Sequence, residues 1–415
     1  MNAILDRLFV LLSGELCWTA PLAVGLGLLA LGCCGLVSAR WRPGLLLVGL
    51  GIGGAALAPF LLAQARAPGS PGPYPVYRAT VSGPIGFDLW LPARPGRAGA
   101  AIVSDCSGLD GLPLAAAEGE KRRIVLYMPH FKGARDDNSV RLRHLAAHGY
   151  IVAAFDDIGL DRPRRDADAR QEQARLHDWL YASQADYDRT VALNDLRVGL
   201  QARKALAGLD WLAACAARPE ASGWNGLVDH RAVAFMGFSF GGATAAEAAM
   251  IDPRVAAVIS LDGSLFGRAA AGQMRAPYLY IRSNDAVPAM SDLTSGKPRD
   301  MFNARLMARH LQQQAALAAR AGSAGIRITG TAHGSFSDAL FEPHASRLWL
   351  LNDPNTTFDA ADSYILDFLD GHLRGRPMTL IGRAGPRLPR VETLRGIGLV
   401  PGGNFGWRDP VPAGS

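Results

Sequence analysis

The stretch "RAVAFMGFSFGGATAAEAA" at 231–249 restricts what this chain can fold into more than any other. An apolar run, Ala232 to Met236, leads into Gly237-Phe238-Ser239-Phe240-Gly241, and Gly242 opens an Ala-rich stretch of helical composition. Strand, tight turn and helix in that order are the setting of a G-x-S-x-G turn, which raises its serine above the end of a sheet. The glycines have a steric reason. The serine takes a strained backbone position, and side chains two residues to either side would collide in so sharp a bend. Ser239 is therefore the candidate nucleophile.

A serine becomes nucleophilic when a base takes its proton and an acid orients that base. On this kind of turn the partners follow the serine as Asp or Glu, then His. Of nine histidines, only His310, His333, His344 and His372 follow Ser239. His310 and His372 fall in helical stretches and read as ordinary helix histidines. His333, in "GTAHGSFSD", follows an apolar strand, where loops at the carboxyl ends of parallel strands build a site. It is the expected base, with His344 the fallback. Two aspartates end strands beyond the serine: Asp262 in "VISLDGSLFG" and Asp285 in "YLYIRSNDAV". Either suits the acid by position. Asp338 reads as an exposed loop or helix-start residue. Backbone N–H groups to hold an oxyanion are expected from Phe240 and from Phe131 or Lys132, in the turn "MPHFKGARDD".

Around this centre, apolar strands alternate with helices. Strand-like runs occur at 122–130, 150–157, 255–262, 276–285 and 325–331, and helices at about 189–217, 302–321 and 359–374. Continuous apolar strands in this alternation predict a parallel sheet covered on both faces. "YRATVSG" and "GFDLWLPA" read as a preceding hairpin or meander. Residues 93–120 read as a loop, and 158–188, heavily charged, as a lid or an exposed helical excursion.

The N-terminus has a different composition. Residues 17–37 and 44–63 are charge-free runs of 21 and 20 residues, each long enough to cross a bilayer as a helix. Their Gly and Ala content allows close helix approach. Arg40 and Arg42 between them place that loop in the cytoplasm and everything after about residue 67 outside. Ala63-Gln64-Ala65 also resembles a signal-peptide cleavage site, and that reading exports the same part of the chain. The expected organisation is a membrane anchor at 1–66, a Pro/Gly linker at 67–75, an α/β unit at 76–375 and an irregular tail at 376–415.

Charge and cysteine content narrow the partners. The net charge of +6 rests on scattered arginines, with only four lysines, so no nucleic-acid surface is expected. No Cys/His spacing suggests a metal, and no cofactor is expected. Of five cysteines, Cys106 and Cys215 lie outside the apolar runs, where export would permit a disulfide between them.

The motifs "GFSFGGATAAEAA", "ISLDGSLFG", "GTAHGSFSDALF" and "IVLYMPHFKGA…LAAHGYIVAAFDD" together resemble the plasma and cytosolic type II platelet-activating-factor acetylhydrolases. These are α/β-hydrolases of the wider dienelactone-hydrolase-like group. The resemblance runs over roughly 120–342. It implies an α/β-hydrolase fold and a metal-free, acyl-serine carboxylic ester hydrolase acting on short acyl esters, including a short or oxidised chain on a phospholipid. It also implies Asp262, which ends the strand directly after the serine-bearing helix, as the acid, leaving Asp285 the alternative. Two departures stand out: Phe131 occupies the first glycine of the family's His-Gly-x-Gly turn, and two N-terminal apolar runs are foreign to the family. The same triad also serves polyester or xenobiotic esterases and peptidases, and a non-catalytic scaffold at the membrane is the competing reading from another class.

Overall fold

The computed structural model describes residues 16–33, 38–66, 72–83, 85–115, 121–158, 181–218, 224, 226–285, 287–341, 354–382 and 388–394. His344 and most of 158–188 lie outside these.

The described strands form one sheet of ten, ordered β10-β9-β8-β7-β6-β4-β5-β2-β1-β3. The strands β4 (Arg122–Met128), β5 (Ile151–Phe155), β6 (Val228–Phe238), β7 (Val255–Leu261), β8 (Tyr278–Arg282) and β9 (Ala324–Ile328) are mutually parallel. Their apolar runs are buried on both faces, as continuous rather than alternating hydrophobicity requires. At one edge β1 (Val76–Val81) and β2 (Phe87–Pro92) form the expected antiparallel pair, and β2 joins β5.

Helices α4 (Ser139–Ala147) and α8 (Pro354–Arg374) cover one face, where Leu142, Leu145, Phe368 and Leu369 meet Val125, Val152 and Ile259. Helices α5 (Gln184–Ala216) and α6 (Phe240–Ile251) cover the other, where Ala202, Leu209 and Ala245 meet Leu126, Phe235 and Val258. Helix α7 (Pro298–Ala318) flanks β8 and β9.

Two loop expectations are corrected. Within 93–120, β3 (Gly99–Val103) adds an edge strand parallel to β1, and α3 (Cys106–Asp110) follows, capped by the Asp105 side chain on the Gly108 N–H. Strand β10 (Val391–Thr393), in the stretch read as an irregular tail, pairs antiparallel with β9. Both segments are short and Gly- or charge-rich, so their pairing comes from the edges they meet rather than from their own pattern. Cys106 and Cys215 form a disulfide joining α3 to the end of α5.

The two apolar runs form helices α1 (Leu16–Cys33) and α2 (Arg42–Arg66), packed on each other with Gly25 and Gly49 at the contact. The expectation of transmembrane helices finds no support here: among the described residues no helix is long and apolar enough to cross a membrane. The 18 residues of α1 rise about 27 Å, short of a hydrocarbon core of about 30 Å. The longer α2 carries arginine at both ends and much glycine, alanine and proline between them.

Candidate active site

Strand β6 runs directly into Ser239, whose φ of 56° and ψ of −119° lie in a region that L-residues rarely occupy. Helix α6 starts at the next residue. The flanking glycines are required by contact distance. A Cβ on Gly237 would sit 2.0 Å from the Gly241 carbonyl carbon, and one on Gly241 would sit 2.1 Å from the Met128 carbonyl oxygen. The second contact shows how closely the serine turn lies against the end of β4.

The structure brings together three of the residues singled out in the sequence. His333 Nε2 is 2.9 Å from Ser239 Oγ, and His333 Nδ1 is 2.7 Å from Asp262 Oδ2. Asp262 follows β7 with a positive φ of 48°, and its other oxygen accepts the Ser283 N–H at 2.7 Å. The carboxylate is thus held by one donor while it faces the imidazole. Asp285, at the end of the neighbouring strand, does not reach the ring. Its Oδ2 accepts the backbone N–H of His333 at 3.1 Å. Both aspartates converge on one histidine, through different atoms.

His333 opens a short 3₁₀ turn, His333–Phe336. That turn is tied down from α4, where buried Arg141 donates to the Phe336 carbonyl at 2.8 Å and pairs with Asp362 at 3.0 Å. Asp338 starts a short 3₁₀ turn, Asp338–Phe341, as one of its two expected readings has it, but it is half-buried rather than exposed and accepts from Ser139 Oγ and from the Val140 N–H at the start of α4. Unpaired N–H groups at a helix start favour a carboxylate there. Phe238 packs on the His333 ring at 4.9 Å between centroids.

The turn after β4 holds His130, Phe131, Lys132 and Gly133. The Gly133 N–H donates to the His130 carbonyl at 2.8 Å, and Lys132 adopts a left-handed φ of 61°. Phe131 meets Phe240 edge-on at 5.9 Å. Behind both rings lies Arg197, 1 % exposed, its guanidinium 4.2 Å from the Phe131 ring centroid and 5.4 Å from that of Phe240. Arg197 pairs with Asp157, which also accepts from Gln201, and Thr244 donates to Gln201 at 2.6 Å. This buried network was missed in the sequence. Arg197 and Gln201 show helical i, i+4 spacing, yet nothing local links them to Asp157 or to Phe131. Phe266, Phe302, Tyr187 and Leu306 continue the aromatic wall beyond Phe240.

Two other described histidines follow Ser239 and lie away from it in helices. His310 is buried in α7, and burial pushes its pKa down to about 3, while His372 contacts the Gly322 carbonyl at 2.8 Å. Among the described residues no group of three or more His, Cys, Asp or Glu side chains is placed to hold a metal ion.

A mostly parallel sheet with helices on both faces, and a serine turn at the carboxyl ends of its strands, define the α/β-hydrolase class. Residues 114–374 match the sequence profile of platelet-activating factor acetylhydrolase, isoform II. The chain belongs to that family. A ferulic acid esterase from Streptomyces cinnamoneus shares the fold, with a TM-score of 0.53 and 20 % identity over 79 % of this chain and 98 % of the esterase. No curated protein matches the chain in sequence.

Proposed function

We propose that the protein hydrolyses short-chain acyl esters through an acyl-serine intermediate, with Ser239 as nucleophile, His333 as general base and acid, and Asp262 as the acid that orients it. The observation that carries this reading is the hydrogen-bonded chain from Ser239 Oγ through His333 to Asp262, at 2.9 and 2.7 Å. In the first half-reaction Ser239 Oγ attacks the ester carbonyl and His333 Nε2 takes its proton. His333 then gives that proton to the departing alcohol. In the second half-reaction water, deprotonated by His333, attacks the acyl-serine, and the bond to Ser239 Oγ breaks as His333 returns the proton to that oxygen and the free acid leaves. The Phe240 N–H and an N–H of the Phe131–Lys132 turn stabilise the oxyanion in both halves.

The aromatic wall supports a short acyl group. Phe131 stands where the family's turn has glycine, and Phe240, Phe266 and Phe302 are packed together beside the serine, so a long chain has little room on that side. Family membership favours a lipid-type ester. Contact of the protein with a bilayer through α1 and α2 is part of the same proposal, supported by Val24, Leu26, Leu31, Leu47, Val48 and Leu50 exposed on that helix pair. Arg40 and Arg42 at the joining turn favour an extracytoplasmic hydrolase unit, and the Cys106–Cys215 bond fits an oxidising compartment.

The test is a fluorophosphonate probe followed by peptide mapping, alongside a series of p-nitrophenyl esters of increasing acyl length. Labelling at Ser239, with turnover falling steeply beyond short acyl chains, is the expected result. A folded sample that neither labels nor turns over any ester refutes the enzyme mechanism and leaves a binding or scaffold role. Flotation with lipid vesicles checks the bilayer contact: the full chain is expected to float with the vesicles and residues 67–415 to stay in the bottom fraction.

A further inference from the structure

His130, in the turn beside the serine, is not part of the Ser239–His333–Asp262 chain, yet both of its ring nitrogens are engaged. Nδ1 lies 2.8 Å from the Phe131 carbonyl oxygen and Nε2 lies 2.9 Å from Asp137 Oδ2. A carbonyl oxygen only accepts, and so does an ionised carboxylate. Asp137 Oδ2 already accepts the Ala134 N–H at 2.8 Å, as an ionised oxygen does. Each ring nitrogen therefore has to supply a proton. A neutral ring satisfies one contact and turns a lone pair on the other.

We propose that His130 is a positioning residue that works as an imidazolium strap: doubly protonated, it holds the Phe131 carbonyl and thereby aims the Lys132 amide that stabilises the oxyanion. This rests on the serine-hydrolase reading above. The Phe131 carbonyl and the Lys132 N–H belong to one trans peptide plane, so they point in opposite directions and fixing one fixes the other. The turn needs such a hold, because Lys132 is a non-glycine residue at a φ of 61°, a conformation that is strained for an L-residue and relaxes unless its surroundings enforce it.

The surroundings favour the charged ring. The hydrogen bond to Asp137 is the largest influence and raises the His130 pKa above its usual value, while partial burial opposes it. Asp157, beyond the end of β5, adds to the rise, although its charge is shared with Arg197. From β6 the ring meets only the edge of Phe238, at 5.8 Å, and His333 lies on that same phenylalanine. Of the turn's other cations, Lys132 reaches over the Phe131 ring at 5.9 Å and Arg135 pairs with Asp156.

The experiment is a pH profile of kcat for p-nitrophenyl acetate on the full chain, with Asp137→Asn and His130→Gln beside the wild type. In the wild type kcat is expected to fall on the alkaline side as His130 loses its proton. Asp137→Asn can turn an amide donor to a neutral ring, at the cost of the hydrogen bond that the carboxylate accepts from the Ala134 N–H. It is expected to lower kcat about threefold and to abolish the alkaline fall. His130→Gln is expected to lower kcat tenfold or more with KM within about twofold, since an ill-aimed oxyanion donor weakens the transition state and not substrate binding. Imidazole ¹⁵N spectra, assigned with His130→Gln, read the charge independently of activity, and both nitrogens are expected to be protonated at pH 7.5. A neutral ring there, or an alkaline limb unmoved in Asp137→Asn, overturns the strap. Fluorophosphonate labelling of the wild type separates the two readings: labelling with a neutral His130 sinks the strap alone, and no labelling sinks the serine mechanism with it.

Discussion

Replacing Asp262 by asparagine is the sharpest probe of the proposed triad, because the two hydrogen bonds of that carboxylate dictate what an amide can do there. One oxygen accepts the Ser283 N–H at 2.7 Å and the other faces His333 Nδ1 at 2.7 Å. An asparagine has one oxygen to offer. If it stays with Ser283, its NH2 points at Nδ1, Nδ1 has to accept, and the ring proton moves to Nε2. Nε2 then faces Ser239 Oγ with a proton and cannot take another. If the amide is turned over, its oxygen serves Nδ1 but its NH2 abuts the Ser283 N–H, and a shielded donor left without a partner costs about 1–3 kcal/mol. The first arrangement therefore dominates. A triad locked in the wrong tautomer loses about 10⁴ in kcat, or roughly 5.4 kcal/mol of transition-state stabilisation.

The same change at Asp285 should act differently. Its Oδ2 accepts only the backbone N–H of His333 at 3.1 Å, at an exposed position, and an asparagine oxygen accepts it too. Only the charge assistance is lost, so kcat should fall less than about tenfold. Initial rates on p-nitrophenyl acetate and the rate of fluorophosphonate labelling measure both variants, with thermal melts to show that each is folded. Asp262→Asn within tenfold of wild type, together with Asp285→Asn down by about 10³ or more, would overturn the assignment and make Asp285 the orienting acid.

Three further outcomes follow from the packing. Gly241→Ala brings a Cβ to 2.1 Å from the Met128 oxygen and 2.5 Å from that of Pro129; it should abolish labelling of Ser239 or prevent folding, and a folded, fully active variant would show the serine turn to be looser than drawn. Removing the Cys106–Cys215 link with paired Cys→Ser changes frees a loop with a sequence separation of 109, for which chain entropy gives about 4.8 kcal/mol and practice about 2–4; urea denaturation that moves by less than about 1 kcal/mol would mean that the bond adds little. His144 is held neutral by burial, its pKa pushed from 6.5 to about 4, so below pH 6.5 the unfolded chain takes up a proton that the native state refuses. Stability should therefore drop by about 2 kcal/mol between pH 6.5 and 5 on account of this residue, and the corresponding denaturation midpoints in His144→Gln should lack that share of the drop.

What the sequence makes legible here is what is enforced locally. Ser239 can be found because the turn itself requires glycine at 237, where a Cβ would strike Gly241, and the flanking strand and helix are contiguous with it; the need for glycine at 241 comes from the neighbouring end of β4. His333 can be found because it is the histidine that follows a parallel strand rather than sitting within a helix. The choice between Asp262 and Asp285 is another matter. They end adjacent parallel strands, with Leu261 beside Ile281 in register, so strand pattern puts both at the same edge of the sheet. What separates them is that one reaches the ring and the other the backbone of the same histidine, a difference of side-chain reach that periodicity does not encode; only the family resemblance favoured Asp262 in advance. Asp157, Arg197 and Phe131 are further still from legibility, since they come from a strand end, a helix and a turn and meet only when both sides of β5 and β4 are packed. The apolar N-terminal runs show the converse limit. Their composition correctly predicts helices, but whether a helix can cross a bilayer depends on a length and hydropathy threshold that no described helix reaches, so composition there specifies the element and not its environment.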